Sequence, residues 1–571
     1  MMGHDPDQMG RDAAETPEGL AAALTRRRLV GGAAALGAAG LLAPRRVVAA
    51  PVPTGPTVRT ARPQGEPTTL TIAFYGSPSD IDPHLANDYR SVFPVMAIYE
   101  GLLALKGGKT DEFVGRLAET WEANDDQSVW TFTLRDGVTF HDGTPCDAEA
   151  VRRSFERYVR VGFGSGPDWT RFVPDPSAIT APDPKTVVFD LGRPQPLFEA
   201  AIAASYWVYV VNVPVMEEHA VDDDGGRSWA QTNAAGTGTG PYTLAQFEPG
   251  DVMILEKNEA WWGGPDEPFF DRVIIRVVPE NATRRQLLEV GEVDIIDGLN
   301  ADDWDALKEN PAITVQSVPS TTVQYFYLTV AGPLASVEAR QAMVLAFPYQ
   351  EVIDGVLRGY ATQPAGFVAE SLHGFNPEVL KPTTDLDRAR ELFAAAGVGE
   401  GTTLELALEP GTEHATLAAQ LFQANLAELG ITLTITEIET SSYVGLLYGD
   451  TPVEERPNLM YWGWWPAYND AWSQLNALAG CEMTGAVGGA NLGGYCNEQA
   501  QELLDTALAA TDEATYMEAI GEAQQIVARD DPPAIFYSQP NTTVGHRAEI
   551  AGIELNPINV GTYYLHTVRR E

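Results

Sequence analysis

An α/β protein of at least two lobes is what this sequence predicts, on three observations. The chain runs to 571 residues, and single hydrophobic cores stop growing beyond roughly 250–300 residues. Strand patterns of period two alternate irregularly with helical patterns along it, without an internal repeat. The interval from Leu117 to Phe155 shows both patterns side by side, separated by turn residues.

The first residues fall outside that fold. Thr25-Arg26-Arg27-Arg28-Leu29-Val30 precedes an apolar run of small residues from Gly31 to Ala43, the pattern of a twin-arginine export signal. That run is roughly half to two-thirds of the about 20 residues needed to span a bilayer, which favours export over a permanent anchor. Val48-Ala49-Ala50 offers small residues for cleavage, so residues 1–50 read as a signal peptide and the Pro-rich residues 51–67 as a linker. The expected mature protein is soluble, carried out by the twin-arginine translocase to the periplasm or the outer face of the cell membrane.

Leu70, Ile72 and Phe74 open the globular part as a strand. Trp130, Phe132 and Leu134 alternate with Thr131 and Thr133, which predicts a strand with one buried face. Asp136-Gly137 turns the chain, and Val138 and Phe140 resume the alternation as a second short strand until His141-Asp142-Gly143-Thr144-Pro145 stops it. Asp147 then caps a helix whose Val151, Phe155, Tyr158 and Val159 share one face. Later, Val323, Tyr325 and Tyr327 read as an apolar strand, and Ile535-Phe536-Tyr537 as another behind Pro532-Pro533. Met460, Trp462 and Trp464 line one side of a strand that ends before Pro466.

The unit from Leu117 to Phe155 resembles the signature segment of the family 5 extracellular solute-binding proteins, which serve peptide and nickel ABC importers. Ile81-Asp82-Pro83, Tyr99-Glu100-Gly101-Leu102, Gly238-Thr239-Gly240-Pro241-Tyr242, Asn258 with Trp261-Trp262-Gly263-Gly264, Gly291-Glu292-Val293-Asp294, Arg340-Gln341-Ala342 and Asp387-Arg388-Ala389-Arg390-Glu391-Leu392 are similar to successive elements of that family, in order. Two positions depart from it: Thr329 stands where many relatives carry Asn, and Ala471 where many carry Pro.

The resemblance implies a two-lobed, periplasmic-binding-protein-like type II fold. Lobe I would comprise residues 68–324 and 538–571, with an extra subdomain over 107–233. Lobe II would comprise 325–537, with segments at Tyr325 and at Ile535-Phe536-Tyr537 crossing between lobes as a hinge. It further implies a monomeric receptor, not an enzyme, without cofactor or metal. That receptor would capture short peptides by lobe closure and deliver them to the permease subunits of an ABC importer. Oligosaccharides are the second ligand class and metal chelates the third. A secreted hydrolase and a peptide chaperone or sensor are the readings from other classes. Against a hydrolase, the chain has no H-E-x-x-H, G-x-S-x-G or P-loop Gly-Lys-Ser/Thr motif.

The sharpest candidate site runs from Tyr461 to Trp472, with four Trp and two Tyr in twelve residues. Loops at strand ends facing a crevice are where open α/β sheets take ligands. Trp464, Trp465, Tyr468 and Trp472 could stack on a sugar or cover a peptide side chain, with core packing as the alternative. By resemblance to dipeptide-binding relatives, Asp470 would hold a peptide's terminal ammonium through charge-assisted hydrogen bonds. Tyr89 and Arg90 would contact ligand from the other lobe or form a solvated cap, and Tyr325 would sit at the hinge, where core packing is the commoner fate. Arg340 is assigned a structural role, and His141 and His373 read as solvated histidines rather than metal ligands.

Three cysteines occur. Cys481 and Cys496, closing a short Gly- and Ala-rich loop, read as a disulfide, which also resembles a loop disulfide of dipeptide-binding relatives. Metal ligation by the pair is the alternative, with no His beside them. Cys146 reads as a buried free thiol. A balance of 37 Lys and Arg against 79 Asp and Glu gives a net charge of −42. Such a surface repels nucleic-acid phosphates and anionic lipid, and it tilts the ligand toward neutral or cationic solutes.

Overall fold

The computed structural model describes residues 68–571 except 87, 111, 162–171, 174, 205, 265–268, 450, 485–489, 557 and 559–560. The signal and linker readings fall on residues outside this set. Among the described residues no helix is long and apolar enough to cross a membrane.

Strand β1 (Thr69–Phe74) pairs in parallel with Arg272–Val277 and with β2 (Ile295–Asp297). Its Leu70 and Ile72 are fully buried, as the alternation requires. A long segment later, β3 (Ile313–Pro319) is followed after three residues by β4 (Val323–Leu328). Strand β5 (Thr403–Leu408) pairs in parallel with Thr432–Glu437 and with β6 (Leu459–Trp464). Last comes β7 (Ala534–Arg547), which is 14 residues long. The resulting strand order is Thr432–Glu437, β5, β6, β4, β7, β2, β1, Arg272–Val277, Val252–Lys257, Tyr242–Glu248, with β3 also on β7.

Strand β7 is shared by two halves of this sheet. Its first residues pair antiparallel with β4, Ala534 opposite Tyr327 and Ser538 opposite Gln324. Its later residues pair with β3, Asn541 opposite Pro319 and Arg547 opposite Ile313, and with β2. The chain therefore passes from one half to the other twice at adjacent points, at Ser320–Thr322 and at Gln539-Pro540. The two passages are tied: Ser320 N–H and Oγ donate to Pro540 O at 3.3 and 2.6 Å, and Gln539 Nε2 donates to Ser320 O at 2.7 Å.

The β4 strand is central, with Val323, Tyr325, Phe326, Tyr327 and Leu328 all fully buried. Val323, Tyr325 and Tyr327 join one core and Phe326 and Leu328 another. Strand β6 divides the same way, Met460, Trp462 and Trp464 packing on the first core and Leu459 and Tyr461 on the second. The one-sided alternation expected for β6 is what positions its aromatics.

Helix α1 (Tyr89–Ile98) is capped by Asp88, whose side chain accepts from Arg90 and Ser91 N–H. Within 107–233 a separate antiparallel sheet orders Ala118–Ala123, Val129–Leu134, Thr186–Asp190 and Ile179–Asp183. Trp130, Phe132 and Leu134 are buried there while Thr133 is exposed. Val138 and Phe140 are buried but do not form the expected second strand. Phe140 N–H closes onto Thr144 O at 2.8 Å and Cys146 N–H onto Val138 O, so the segment is a tight loop with one bridge between Thr139 and Pro145. Helix α2 (Ala148–Val161) follows, with Ala150 N–H donating to Asp147 Oδ1 at 3.0 Å and Val151, Phe155 and Tyr158 buried.

Several sequence motifs are knots of buried polar groups. On α2, Arg157 NH1 and NH2 grip Asp82 at 3.1 and 2.5 Å, with both side chains fully buried. Burial alone would raise the Asp82 carboxyl; the Arg157 charge and hydrogen bonds outweigh it and hold the group below the usual carboxylate range. Glu100 accepts from Trp262 Nε1 at 2.8 Å and Thr239 Oγ1 at 3.1 Å. Gly238 and Gly240 lie where a Cβ would stand 2.1 Å from Ile98 O and 2.5 Å from Ala97 O, so the Gly-Thr-Gly run exists to let two backbones touch. Cys146 is a buried free thiol, and the Cys481 and Cys496 sulfurs stand 2.05 Å apart.

Replacing Asp82 with Ala strands a buried guanidinium, and breaking such a pair costs about 3–5 kcal/mol. Urea unfolding of Asp82→Ala is therefore expected to show a loss of that size; a loss below about 1 kcal/mol would show the pair to be dispensable.

Candidate functional site

The aromatic run divides sharply once folded. Trp464 and Trp465, leaving the end of β6, are half-buried and stacked, with ring centroids 6.5 Å apart and planes 24° apart. Tyr468 is 1% exposed and meets Phe172 edge-on at 5.7 Å. Trp472 is also 1% exposed, and its Nε1 donates to Leu504 O at 2.9 Å. Tyr325 is fully buried between β6 and β7. In this structure Tyr468, Trp472 and Tyr325 are core groups, while Trp464 and Trp465 keep accessible surface.

Asp470, expected as a ligand contact, has a structural place in the fold. It is the N-cap of helix α3 (Ala471–Ala479), with Trp472 N–H donating to Oδ1 at 2.7 Å. Tyr516 OH donates to the same oxygen, and His373 Nδ1 lies 2.7 Å from Oδ2. The residue is 1% exposed. Protein groups thus take both sites of Oδ1 and one of Oδ2. Burial pushes the Asp470 carboxyl up, while the His373 and Tyr516 hydrogen bonds pull it back. His373, whose Nε2 lies 2.9 Å from Glu513 Oε1 and whose ring stacks on Tyr516, is raised to about 9, first by its hydrogen bond to Asp470. It bridges two carboxylates while its side chain stays 41% exposed, so it is solvated as expected. His141 differs from that expectation, being partly buried with Nε2 3.0 Å from Gly240 O. Arg340 is structural as read, donating to Leu334, Ala335 and Pro532 carbonyls and to Asp531.

The loop is anchored to the crossing between the sheet halves. Ala467 N–H donates to Ser473 Oγ at 3.0 Å, and Gln474 Nε2 donates to Thr321 O at 3.1 Å. Asn469 Nδ2 donates to Thr110 O, and Thr110 Oγ1 to Ser371 O at 3.3 Å. These contacts join the β1 half to the β5 half, so the loop is closed over by residues from both.

On the β1 half, Tyr75 follows the last residue of β1 and Asp297 ends β2, both at the carboxyl ends of parallel strands. Tyr89 OH donates to Asp297 Oδ2 at 2.9 Å. Burial raises Asp297 to about 6. Arg90 lies over the Tyr75 and Tyr89 rings, at 5.0 and 5.6 Å from their centroids. On the β5 half, burial raises the Tyr461 hydroxyl, with smaller contributions from Glu409, one residue past β5, and from Tyr75.

Buried polar atoms without a protein partner gather along this junction. They include Asp297 Oδ1, Gln324 Oε1, Trp464 Nε1, Asn469 Oδ1, Ser538 Oγ and Gln539 Oε1. An orphaned buried polar atom costs about 1–3 kcal/mol, so such a group marks a place that water or a ligand completes. Among the described residues no cluster of His, Cys, Asp and Glu is arranged to hold a metal. A separate small recess of about 10 Å³, lined by Glu100, Arg116, Tyr209, Tyr564 and His566 among others, lies at the Glu100 knot and shares no residue with the junction. Sequence reasoning missed Tyr75 and Glu409, although each is the first residue beyond an alternating strand. For Tyr516, distant from Asp470 in sequence, no local signal exists.

The chain matches the model of the bacterial extracellular solute-binding proteins, family 5 Middle, over residues 112–485. It is 30% identical over 512 residues to a probable D,D-dipeptide-binding periplasmic protein of Escherichia coli strain K12, covering 88% of this chain and 94% of that one. Among solved structures, a Helicobacter pylori ABC transporter-associated periplasmic binding protein in complex with the peptide STSA superposes with TM-score 0.77 at 24% identity, covering 88% of this chain and 98% of that one. A dipeptide-binding protein of a Pseudoalteromonas species in complex with Met-Leu gives TM-score 0.77 at 21% identity, covering 88% and 100%. The likeness extends the α/β architecture to the type II periplasmic-binding fold expected above.

Asp470→Ala removes a helix cap and strands the Tyr516 hydroxyl, so denaturant unfolding is expected to show a loss of about 2–4 kcal/mol. Unchanged stability with loss of ligand binding would instead make Asp470 a ligand contact. For His373 the folded value near 9 lies above the ordinary 6.5. Its contribution is therefore full below pH 6.5 and fades as pH rises through about 9. After discounting for its partial exposure, about 1–2 kcal/mol should be lost across that window. Unfolding midpoints from pH 6 to 10 are expected to fall more in wild type than in His373→Gln; parallel profiles would contradict this.

Proposed function

The chain belongs to the family 5 bacterial extracellular solute-binding proteins, and from that premise we propose that it is the peptide receptor of an ABC importer. A short peptide enters the junction between the two sheet halves, the halves close over it, and it passes unchanged to the permease subunits. The single observation that carries this reading is the set of unpartnered polar atoms, Gln324 Oε1, Asn469 Oδ1, Ser538 Oγ and Gln539 Oε1, on the strands and loop around the Trp464–Trp465 stack. A peptide brings alternating N–H and C=O groups for the former and a side chain for the latter, which a largely apolar solute does not. The dipeptide specificity named for the 30%-identical relative supports the same ligand class.

Two lobes, 68–324 with 538–571 and 325–537, would rotate about the paired passages at Ser320–Thr322 and Gln539-Pro540. Short, hydrogen-bonded passages of this kind bend without disturbing either core. Asp470 then acts as a positioning residue that fixes the loop carrying Trp464 and Trp465. Export by the twin-arginine route, cleavage after Ala50, and a Cys481–Cys496 disulfide in the mature protein complete the proposal.

The test is native mass spectrometry of the protein as purified, followed by calorimetry and thermal shift with di- to tetrapeptides and oligosaccharides. A bound peptide, or a peptide present at 100 times its Kd, is expected to stabilise the protein by about 2.7 kcal/mol. Response to oligosaccharides alone, or turnover of any peptide by the isolated protein, would overturn the reading.

A further inference from the structure

We infer that Arg90 is the anchor for the ligand's terminal carboxylate. The inference rests on the peptide reading above and adds the recognition of one end of the peptide. Asp470, a buried helix cap, could serve only the ammonium end of a peptide, so the carboxylate end needs a cationic group of its own.

Arg90 has the required geometry. Its Nε donates to Asp88 Oδ1 at 3.1 Å, and its guanidinium lies over the Tyr75 and Tyr89 rings. No hydrogen bond engages its two terminal nitrogens among the described residues, and the side chain is 29% exposed. The guanidinium packs over Gly76, where a Cβ would stand 2.5 Å from Arg90 NH1 and would push the fork aside. A planar fork, fixed by two aromatic faces and one ion pair, presents its remaining N–H pair in the geometry a carboxylate takes bidentately.

Of the neighbouring charged groups, Asp297 lies on the same side, its Oδ2 taken by Tyr89 OH at 2.9 Å and its Oδ1 without a protein partner. Asp88 is tied by Ser79 Oγ and Ser91 Oγ at 2.6 Å each and by the amides it caps, so its charge is shared among several donors besides Arg90. Arg284, 5.7 Å from the Tyr75 centroid, is bonded to carbonyls of Val278, Pro279, Asp297 and Gly298 and has no fork to spare.

Calorimetry with L-alanyl-L-alanine, D-alanyl-D-alanine and L-methionyl-L-leucine, each as free acid and as C-terminal amide, tests this on wild type without any mutation. The amide of whichever dipeptide binds is expected to bind at least about tenfold more weakly than the acid. In Arg90→Gln the acid should weaken to the level of the amide while the amide is unchanged within about twofold, and Arg90→Lys should recover part of the difference. Equal binding of acid and amide by wild type, or equal weakening of both in Arg90→Gln, would overturn the assignment while leaving the peptide reading intact. Failure of every dipeptide and longer peptide to bind wild type would bring down both.

Discussion

The whole architecture hangs on one strand belonging to two sheet halves. Ala534–Ser538 completes the half built on β4, β5 and β6, and Asn541–Arg547 completes the half built on β1, β2 and β3. Because backbone hydrogen bonding runs unbroken along β7 on both sides of the crossing, neither half can drift away from the other. Between them, at Gln539-Pro540, β7 leaves its neighbours in both halves and pairs with Ala361–Thr362 instead, with the Ser320–Thr322 passage beside it, and it is about these two passages that the halves would change their mutual angle. The consequence is a junction that lies next to its own pivot, flanked by the carboxyl ends of parallel strands from both sides.

Charge buried away from that junction serves the fold. Arg157 with Asp82, Arg284 with five oxygens, Arg340 with Asp531 and three carbonyls, and Glu100 with two indoles are each saturated by protein partners. At the junction the pattern reverses. Asp297, Gln324, Trp464 and Gln539 keep orphaned atoms, and Arg90 keeps unused ones. Orphaned buried polar atoms also occur away from the junction, at His141 Nδ1, Tyr349 OH and Asn476 among others, so the contrast holds for the charged groups and not for every polar atom.

This contrast also explains what could be read from the sequence. Period-two alternation gave the Val129–Leu134 strand, both faces of β6, and the apolar β4, because those patterns are local. The Val138–Phe140 alternation failed for want of length: five residues from Val138 the chain had already turned back to bond its own carbonyls. Asp470 resembled a ligand carboxylate in sequence because a residue just past an aromatic strand can be either a cap or a contact. Only the return of Tyr516 and His373, from positions 46 and 97 residues away, decides between them. Family motifs such as Gly238-Thr239-Gly240 and Trp261-Trp262 marked the fold correctly yet mark no site, since their role is close backbone approach and the burial of Glu100. The residues that line the junction, Tyr75 and Glu409, follow strand ends and carry no motif of their own.

The central claim is that the two halves close on a peptide about the paired crossing. Spin labels at Lys109→Cys and Glu370→Cys, both exposed and flanking the Thr110–Ser371 contact, would report the distance between halves directly. The account predicts a long, broad distance distribution for the empty protein and a short, narrow one when a binding peptide is added. One distribution, the same with and without a peptide that calorimetry shows to bind, would contradict it.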